Sequence, residues 1–199
     1  MNELEAWGLL TQNQFAKFLT KFSQLFGKPR IIKRLAISFW DPYKDKNTDI
    51  RIRITNGEPQ KVKKVGEWEE KLEWNFSESL YDLPKDSVKI YAEFQTLRSH
   101  LTDPDSYNII QHHSHIFDQP DFELKLAKQF GKNVKYVFEV ELKNKSRDLK
   151  GIIKNLGLTD YLLATDTAFW DKWNKEVNLT GRDIGEKEVN ELIKKYLLS

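Results

Sequence analysis

The sequence predicts an α+β protein built on an eight-stranded antiparallel sheet, and three observations carry that prediction. Eight segments alternate apolar with charged or polar residues, the period of a half-buried strand. Five others place apolar residues at helical spacing. The charged strand faces also segregate by sign, each strand carrying either acids or bases, where a solvated face usually mixes signs.

Residues 3–6 form a short first strand, and residues 10–26 a helix with Leu10, Phe15, Phe18, Leu19, Phe22, Leu25 and Phe26 at helical spacing. Thr11 supplies a cap and Gly27 with Pro29 a stop. Residues 34–40 set Leu35, Ile37 and Phe39 against Arg34, Ala36 and Ser38, and residues 49–55 set Ile50, Ile52 and Ile54 against Arg51 and Arg53. Asn56-Gly57 is a hairpin turn, and the returning strand, 60–65, carries Lys61 and Lys63 opposite Val62. A strand after Gly66 sets Leu72, Trp74 and Phe76 against Lys71, Glu73 and Asn75. Pro84 and Asp86 open a helix over 87–101, and residues 102–106 are a loop. Strands follow at 108–117, 121–129 and 134–142; the last alternates Tyr136, Phe138, Val140 and Leu142 with Val137, Glu139 and Glu141. Helices at 147–156, 166–177 and 185–198 complete the chain.

The polar faces hold Glu3 and Glu5, then Arg51 and Arg53, then Lys61 and Lys63, and finally Glu139 and Glu141. An open sheet could turn such faces to water. Adjacent arginine and lysine strands would repel unless an anion lay between them, and the apolar faces need the five helices as cover. These features favour a closed eight-stranded β-barrel with a polar lumen, apolar outside beneath helices. The chain reads as a single domain, 1–199, with the barrel at 2–142 and a helical extension at 143–199.

With 32 Lys plus Arg against 30 Asp plus Glu, the net charge of +2 excludes a broadly basic nucleic-acid binder. Six Trp, seven Tyr and twelve Phe exclude a disordered chain. The absence of cysteine excludes a disulfide scaffold and a thiol nucleophile. No apolar run of about 18 residues spans a bilayer, and the first ten residues lack the basic start of a signal peptide, so no membrane partner and a cytoplasmic location are expected. Neither a Walker A loop nor G-x-S-x-G occurs.

Clustered Arg and Lys neutralise phosphate oxygens, and paired carboxylates hold hard divalent cations, so a lumen with both suits a triphosphate with its metal. At this point the chain resembles the CYTH superfamily, the triphosphate tunnel metalloenzymes, among them inorganic and thiamine triphosphatases, class IV adenylate cyclases and RNA triphosphatases. Glu3-Leu4-Glu5-Ala6-Trp7 supplies both acids of the family's N-terminal ExExK strand. Arg51-Ile52-Arg53 and Lys61-Val62-Lys63 resemble its basic strand pair, and Glu139-Val140-Glu141 its late acidic strand. The hallmark lysine is Trp7, a residue that could stack on a ligand ring. The family's K-x-R falls at Gln111-His112-His113, and its seventh-strand acid at Glu123.

The resemblance implies a metal-dependent hydrolase of an inorganic, nucleoside or thiamine triphosphate. Glu3, Glu5, Glu139 and Glu141, with Glu73, would hold Mg²⁺ or Mn²⁺; Arg51, Arg53, Lys61, Lys63 and His113 would hold the phosphates. The missing cations leave two alternatives open: a non-catalytic binder of polyphosphate, a nucleotide or a phosphorylated RNA end, or a cyclase-like activity. A homodimer is compatible with either. His112, His113 and His115 also invite a metal reading, although on a strand only His113 and His115 share a face. Phe169, Trp170 and Trp173 read as helix packing rather than a stacking platform.

Overall fold

The computed structural model describes residues 2–40, 48–68, 73–143, 147–163 and 167–199; the side chains at 2–4, 40, 66–68, 73–77, 167 and 171 lie outside that description. Its elements run β1 (Asn2–Leu10), α1 (Gln12–Phe26), β2 (Arg30–Trp40), β3 (Thr48–Thr55), β4 (Glu58–Trp68), β5 (Glu73–Asp82), α2 (Ser87–Ser99), β6 (Asn108–Asp118), β7 (Phe122–Phe130), β8 (Lys135–Leu142), α3 (Leu149–Leu156), α4 (Thr167–Glu176), β9 (Leu179–Thr180) and α5 (Glu186–Leu197). The strands form one antiparallel sheet in the order β2-β3-β4-β5-β1-β8-β7-β6-β9, and β2 pairs in addition with β6 from Arg30–Ile116 to Ser38–Asn108.

Local chemistry places the elements where the sequence puts them. Thr11 and Gln14 close a reciprocal capping box on α1, and Asp86 caps α2. Asn56 and Gly57 both take positive φ, 48° and 80°, the geometry of a tight two-residue hairpin. That turn pairs Thr55 with Glu58 and so sets every later pair of β3 and β4.

Two apolar layers cover one side of the sheet. Phe15, Phe18 and Phe22 of α1 and Leu149, Ile153 and Leu156 of α3 pack on Ala6, Leu124, Leu126, Phe138 and Val140. Ile90, Phe94 and Leu97 of α2 and Val189, Ile193 and Tyr196 of α5 pack on Leu35, Ile37, Ile52, Ile54 and Ile109. A third cluster lies on the opposite side: α4 brings Trp173, with Phe169 and Trp170, onto Trp7, Ala127 and Val137. These three strand residues alternate with Ala6, Leu126 and Phe138, so α4 rests on the polar face. Phe169, Trp170 and Trp173 therefore pack, as their helical spacing predicts, but on the charged side of the sheet.

The chain reaches that side beside β1. Residues Leu162 and Leu163 join β1 through a Gly8–Leu162 bridge and a 3.0 Å bond from the Leu163 N–H to the Trp7 carbonyl. Gly8 permits the approach, since a Cβ there would sit 2.3 Å from both the Phe138 ring and the Tyr161 carbonyl oxygen. Among the described residues, no helix is long and apolar enough to cross a membrane.

Candidate functional site

Direct antiparallel partners point to the same face, so the register sorts the charged side chains. Arg51 pairs with Val62, Arg53 with Gln60 and Asp49 with Lys64. Lys64 pairs in turn with Glu78 on β5. On β2, Ala36 pairs with Arg53 and Ser38 with Arg51, which puts Arg34 on this face as well. Glu5 pairs with Glu141, and Glu141 with Glu123; Trp7 pairs with Glu139, and Glu139 with Lys125. His112 pairs with Arg34 and with Gln129. One polar face thus carries Glu5, Arg34, Asp49, Arg51, Arg53, Lys64, Glu78, His112, Glu123, Lys125, Glu139 and Glu141.

Three expected phosphate contacts are corrected by this register. Lys61 pairs with Ile52, on the apolar face, and its ammonium donates to Glu93 of α2 at 2.6 Å. Lys63 pairs with Ile50 and is exposed. His113 pairs with Lys33 and Lys128 and meets the Phe130 ring, on the side away from Arg34. His115 shares its side and lies against Phe15, and among the described residues no three His, Cys, Asp or Glu groups converge as a metal site. Trp7 is also corrected: its ring centroid lies 4.9 Å from Trp173, 5.3 Å from Trp170 and 5.6 Å from Phe169, so it is buried in an aromatic cluster and offers no ring to a ligand. Glu3 and Glu73 pair with Trp74 and Leu4 respectively, and their side chains lie outside the described residues.

The polar face divides into paired and underpaired cations. Asp49 accepts from Arg51 Nε and Ser38 Oγ, both at 2.6 Å. Burial lowers the proton affinity of Arg51, and Asp49 more than restores it, holding the guanidinium above its ordinary pKa. Arg53 donates to Glu78 at 2.9 Å and to Gln60 at 3.2 Å, while its buried Nε has no partner among the described residues. Glu78 is held below its usual range because Lys64 and Arg53 outweigh its desolvation. Arg34 donates through Nε to Thr55 Oγ1 at 3.1 Å and forms no ion pair among the described residues. Burial first, and then Arg53, push its pKa down; Glu139 on β8 only partly opposes them. Arg34, Arg51 and Arg53 thus make a cationic cluster in which Arg34 has no ion-pair partner among the described residues, a candidate anion site.

The acidic side is arranged differently. Lys125 donates to Glu139 at 2.6 Å and keeps that buried carboxylate ionised against its desolvation. Glu123 meets Arg30 at 3.5 Å. Glu5 acts on Arg51 from β1, as Glu139 acts on Arg34 from β8, so acids and bases of distant strands share one electrostatic field.

His112 is the histidine on this face, and it is neutral. Burial, then Lys125, lower its pKa to about 3, while it hydrogen-bonds Gln129 at 3.0 Å. Below pH 6.5 the unfolded chain gains a proton there that the folded chain refuses, so stability is lost as the pH falls. The expected loss is about 2 kcal/mol between pH 6.5 and about pH 5. Urea unfolding at the two pH values checks this, and His112→Gln should remove that part of the slope. The depressed carboxylates Glu78 and Glu139 act in a separate window, giving stability that is lost only as the pH falls below the ordinary carboxylate value of 4.5.

Arg34, Asp49, Lys64, Glu78 and Lys125 join the site without having been singled out by sequence. A usable signal existed for two of them: the Asn56-Gly57 turn fixes the pair sums of its hairpin, which puts Lys64 opposite Asp49 and Lys61 opposite Ile52.

No protein-family model matches the chain, nor does any curated protein. Solved structures do. A putative adenylyl cyclase from Hippeastrum, whose structure is described as revealing a dominant triphosphatase activity, matches over 86% of this chain and 95% of its own, with 13% identity and a TM-score of 0.57. A putative adenylate cyclase from Bacillus halodurans matches over 85% and 96%, with 13% identity and a TM-score of 0.58. A Pyrococcus horikoshii protein matches over 85% and 98%, with 17% identity and a TM-score of 0.58. The chain shares its fold with CYTH-type triphosphatase and adenylate cyclase-like proteins, and at these identities the likeness is one of fold.

Proposed function

We propose that β1 to β8 close into a barrel whose lumen is the polar face, and that the chain hydrolyses a triphosphate-containing small molecule there with Mg²⁺ or Mn²⁺. The observation that carries this reading is the Arg34, Arg51 and Arg53 cluster, held on the same face as Glu5 and Glu141, in which Arg34 has no paired negative charge among the described residues. A triphosphate supplies that charge, and forked guanidinium contacts orient it.

The acids fit a particular kind of metal site. Mg²⁺ keeps much of its water and binds through one or two carboxylates together with substrate phosphates, rather than in a preformed protein cage. The register partners Glu5 and Glu141 would supply those carboxylates, and Glu3 extends their strand; Glu139 lies one rung away and accepts from Lys125. When bound, a divalent ion would acidify a water and neutralise charge on the phosphates. The chain's own part is positioning: Arg34, Arg51 and Arg53 align the phosphates, Lys64 and Glu78 hold Arg53's surroundings in place, and neutral His112 moves no proton.

The test is phosphate release from tripolyphosphate, ATP and thiamine triphosphate with Mg²⁺ or Mn²⁺. Glu5→Gln and Glu141→Gln should each lower turnover at least about tenfold, the effect of losing a metal-positioning group. Turnover that survives both changes overturns the metal assignment. The Lys125–Glu139 bond and the burial of Trp7 at the hallmark lysine position favour a second reading, a binder of the same ligands without catalysis. Tripolyphosphate binding with no turnover in any metal selects it.

A further inference from the structure

Two helical layers cover the outer face of the sheet, and a strip between them stays open. The register partners Lys33, His113, Lys128 and Tyr136 form one rung of that face across β2, β6, β7 and β8. With strands about 4.8 Å apart, the rung spans about 14 Å. Phe130 stands on the next rung, opposite Gln111, and belongs to none of the three apolar clusters described above. Lys33 is exposed, and His113, Lys128, Phe130 and Tyr136 are half-buried. Helix α1 borders the strip through Phe15, whose ring centroid lies 5.1 Å from that of Tyr136, and α5 borders it through Lys195, close enough to act on His113.

The strip combines charge of one sign with open rings. Burial, and then Lys33, Lys195 and Lys128, lower the pKa of His113. Among the described residues, none of these lysines has an acid within ion-pair distance. The Lys128 ammonium sits 5.0 Å from the centre of the Phe130 ring and 5.9 Å from that of Tyr136, so a mobile cation rather than packed protein faces both rings. A lysine in that position can move to a phosphate and leave the ring to a base. We infer that this strip binds a single-stranded nucleic acid, with phosphates on Lys33, Lys128 and Lys195 and bases stacked on Phe130 and Tyr136. A four-stranded face can carry two or three stacked bases. An acidic peptide or a lipid headgroup would use the lysines and leave the rings idle. The net charge of +2 excludes a broadly basic surface but not a local strip. Lys33 and Arg34 point to opposite sides of the sheet, so the inference stands apart from the triphosphate reading.

The test is fluorescence anisotropy with a labelled oligothymidylate of about ten nucleotides that carries no terminal phosphate for the lumen to take. Saturable binding with a Kd below about 100 µM at low salt is expected, falling with salt at a log–log slope of about −2 for three lysine contacts. Lys33→Gln and Lys128→Gln should each weaken binding severalfold and reduce that slope by about 0.7. Phe130→Leu keeps most of the apolar volume but removes the ring, and should weaken binding at least about fivefold with the slope unchanged. An abasic strand of the same length should lose at least as much. No saturation by that concentration, a slope untouched by both lysine changes, or full affinity in Phe130→Leu or for the abasic strand overturns the inference. Polyaspartate that displaces the strand as well as unlabelled oligothymidylate does selects an acidic protein partner instead. Tripolyphosphate at matched ionic strength should leave the strand bound whether or not it fills the lumen, and displacement would place the strand in the lumen and refute the strip.

Discussion

Replacing Arg34 by glutamine should weaken tripolyphosphate binding roughly tenfold to a hundredfold, while leaving the fold as stable as the wild type or more so. The affinity loss is that of one charge-assisted contact, about 1.5–3 kcal/mol. The stability half of the result has a separate cause. Arg34 is held with its charge disfavoured by burial and by Arg53, and among the described residues its side chain donates to the neutral Thr55 hydroxyl. A group in that position costs the folded state and is useful to a ligand. Titration calorimetry and urea unfolding on the same preparation check both halves. Equal losses of affinity and stability would make Arg34 a structural residue instead.

Trp173→Ala should destabilise the protein by about 3–5 kcal/mol, the usual range for deleting a buried aromatic. Trp173 is 6% exposed and packs edge-on to Trp7 and stacked on Phe169. Its loss removes the centre of the one apolar cluster, among the described residues, that lies on the polar face, where the neighbouring rungs are charged and cannot collapse into the space. Urea unfolding measures it. A loss below about 1 kcal/mol, the level of a surface substitution, would mean that α4 is not anchored there.

The elements were legible because period and punctuation agreed locally. Thr11, Gly27, Asp86 and Gly157 end or begin helices by their own chemistry, and the alternation of residues 134–142 survives intact in β8. The site was legible only where strand parity sufficed. Arg51, Arg53, Glu5, Glu139 and Glu141 fall on the face that their apolar neighbours leave. Lys61 and Lys63 failed because Val62 was taken to lie with the core, whereas the hairpin register turns Val62 to the arginine side and leaves both lysines on the other. A one-residue shift exchanges every side chain between faces. For β6 no such local rule exists: its alignment with β2 crosses the whole middle of the chain, and that alignment brings His112 rather than His113 to the polar face. Trp7 could not be read from its strand at all, since its burial depends on a helix some 160 residues later.

The most direct test is a comparison of adjacent lysines. Tripolyphosphate affinity is measured for wild type, Lys64→Ala and Lys63→Ala, all at one ionic strength. Lys64 pairs with Asp49 and Glu78 on the arginine face, and Lys63 with Ile50 and Ser79 on the opposite one. Lys64→Ala should weaken binding severalfold to tenfold, about 1–1.5 kcal/mol, and Lys63→Ala should leave it unchanged. Equal weakening by both, or a loss confined to Lys63, would contradict a triphosphate site on the polar face.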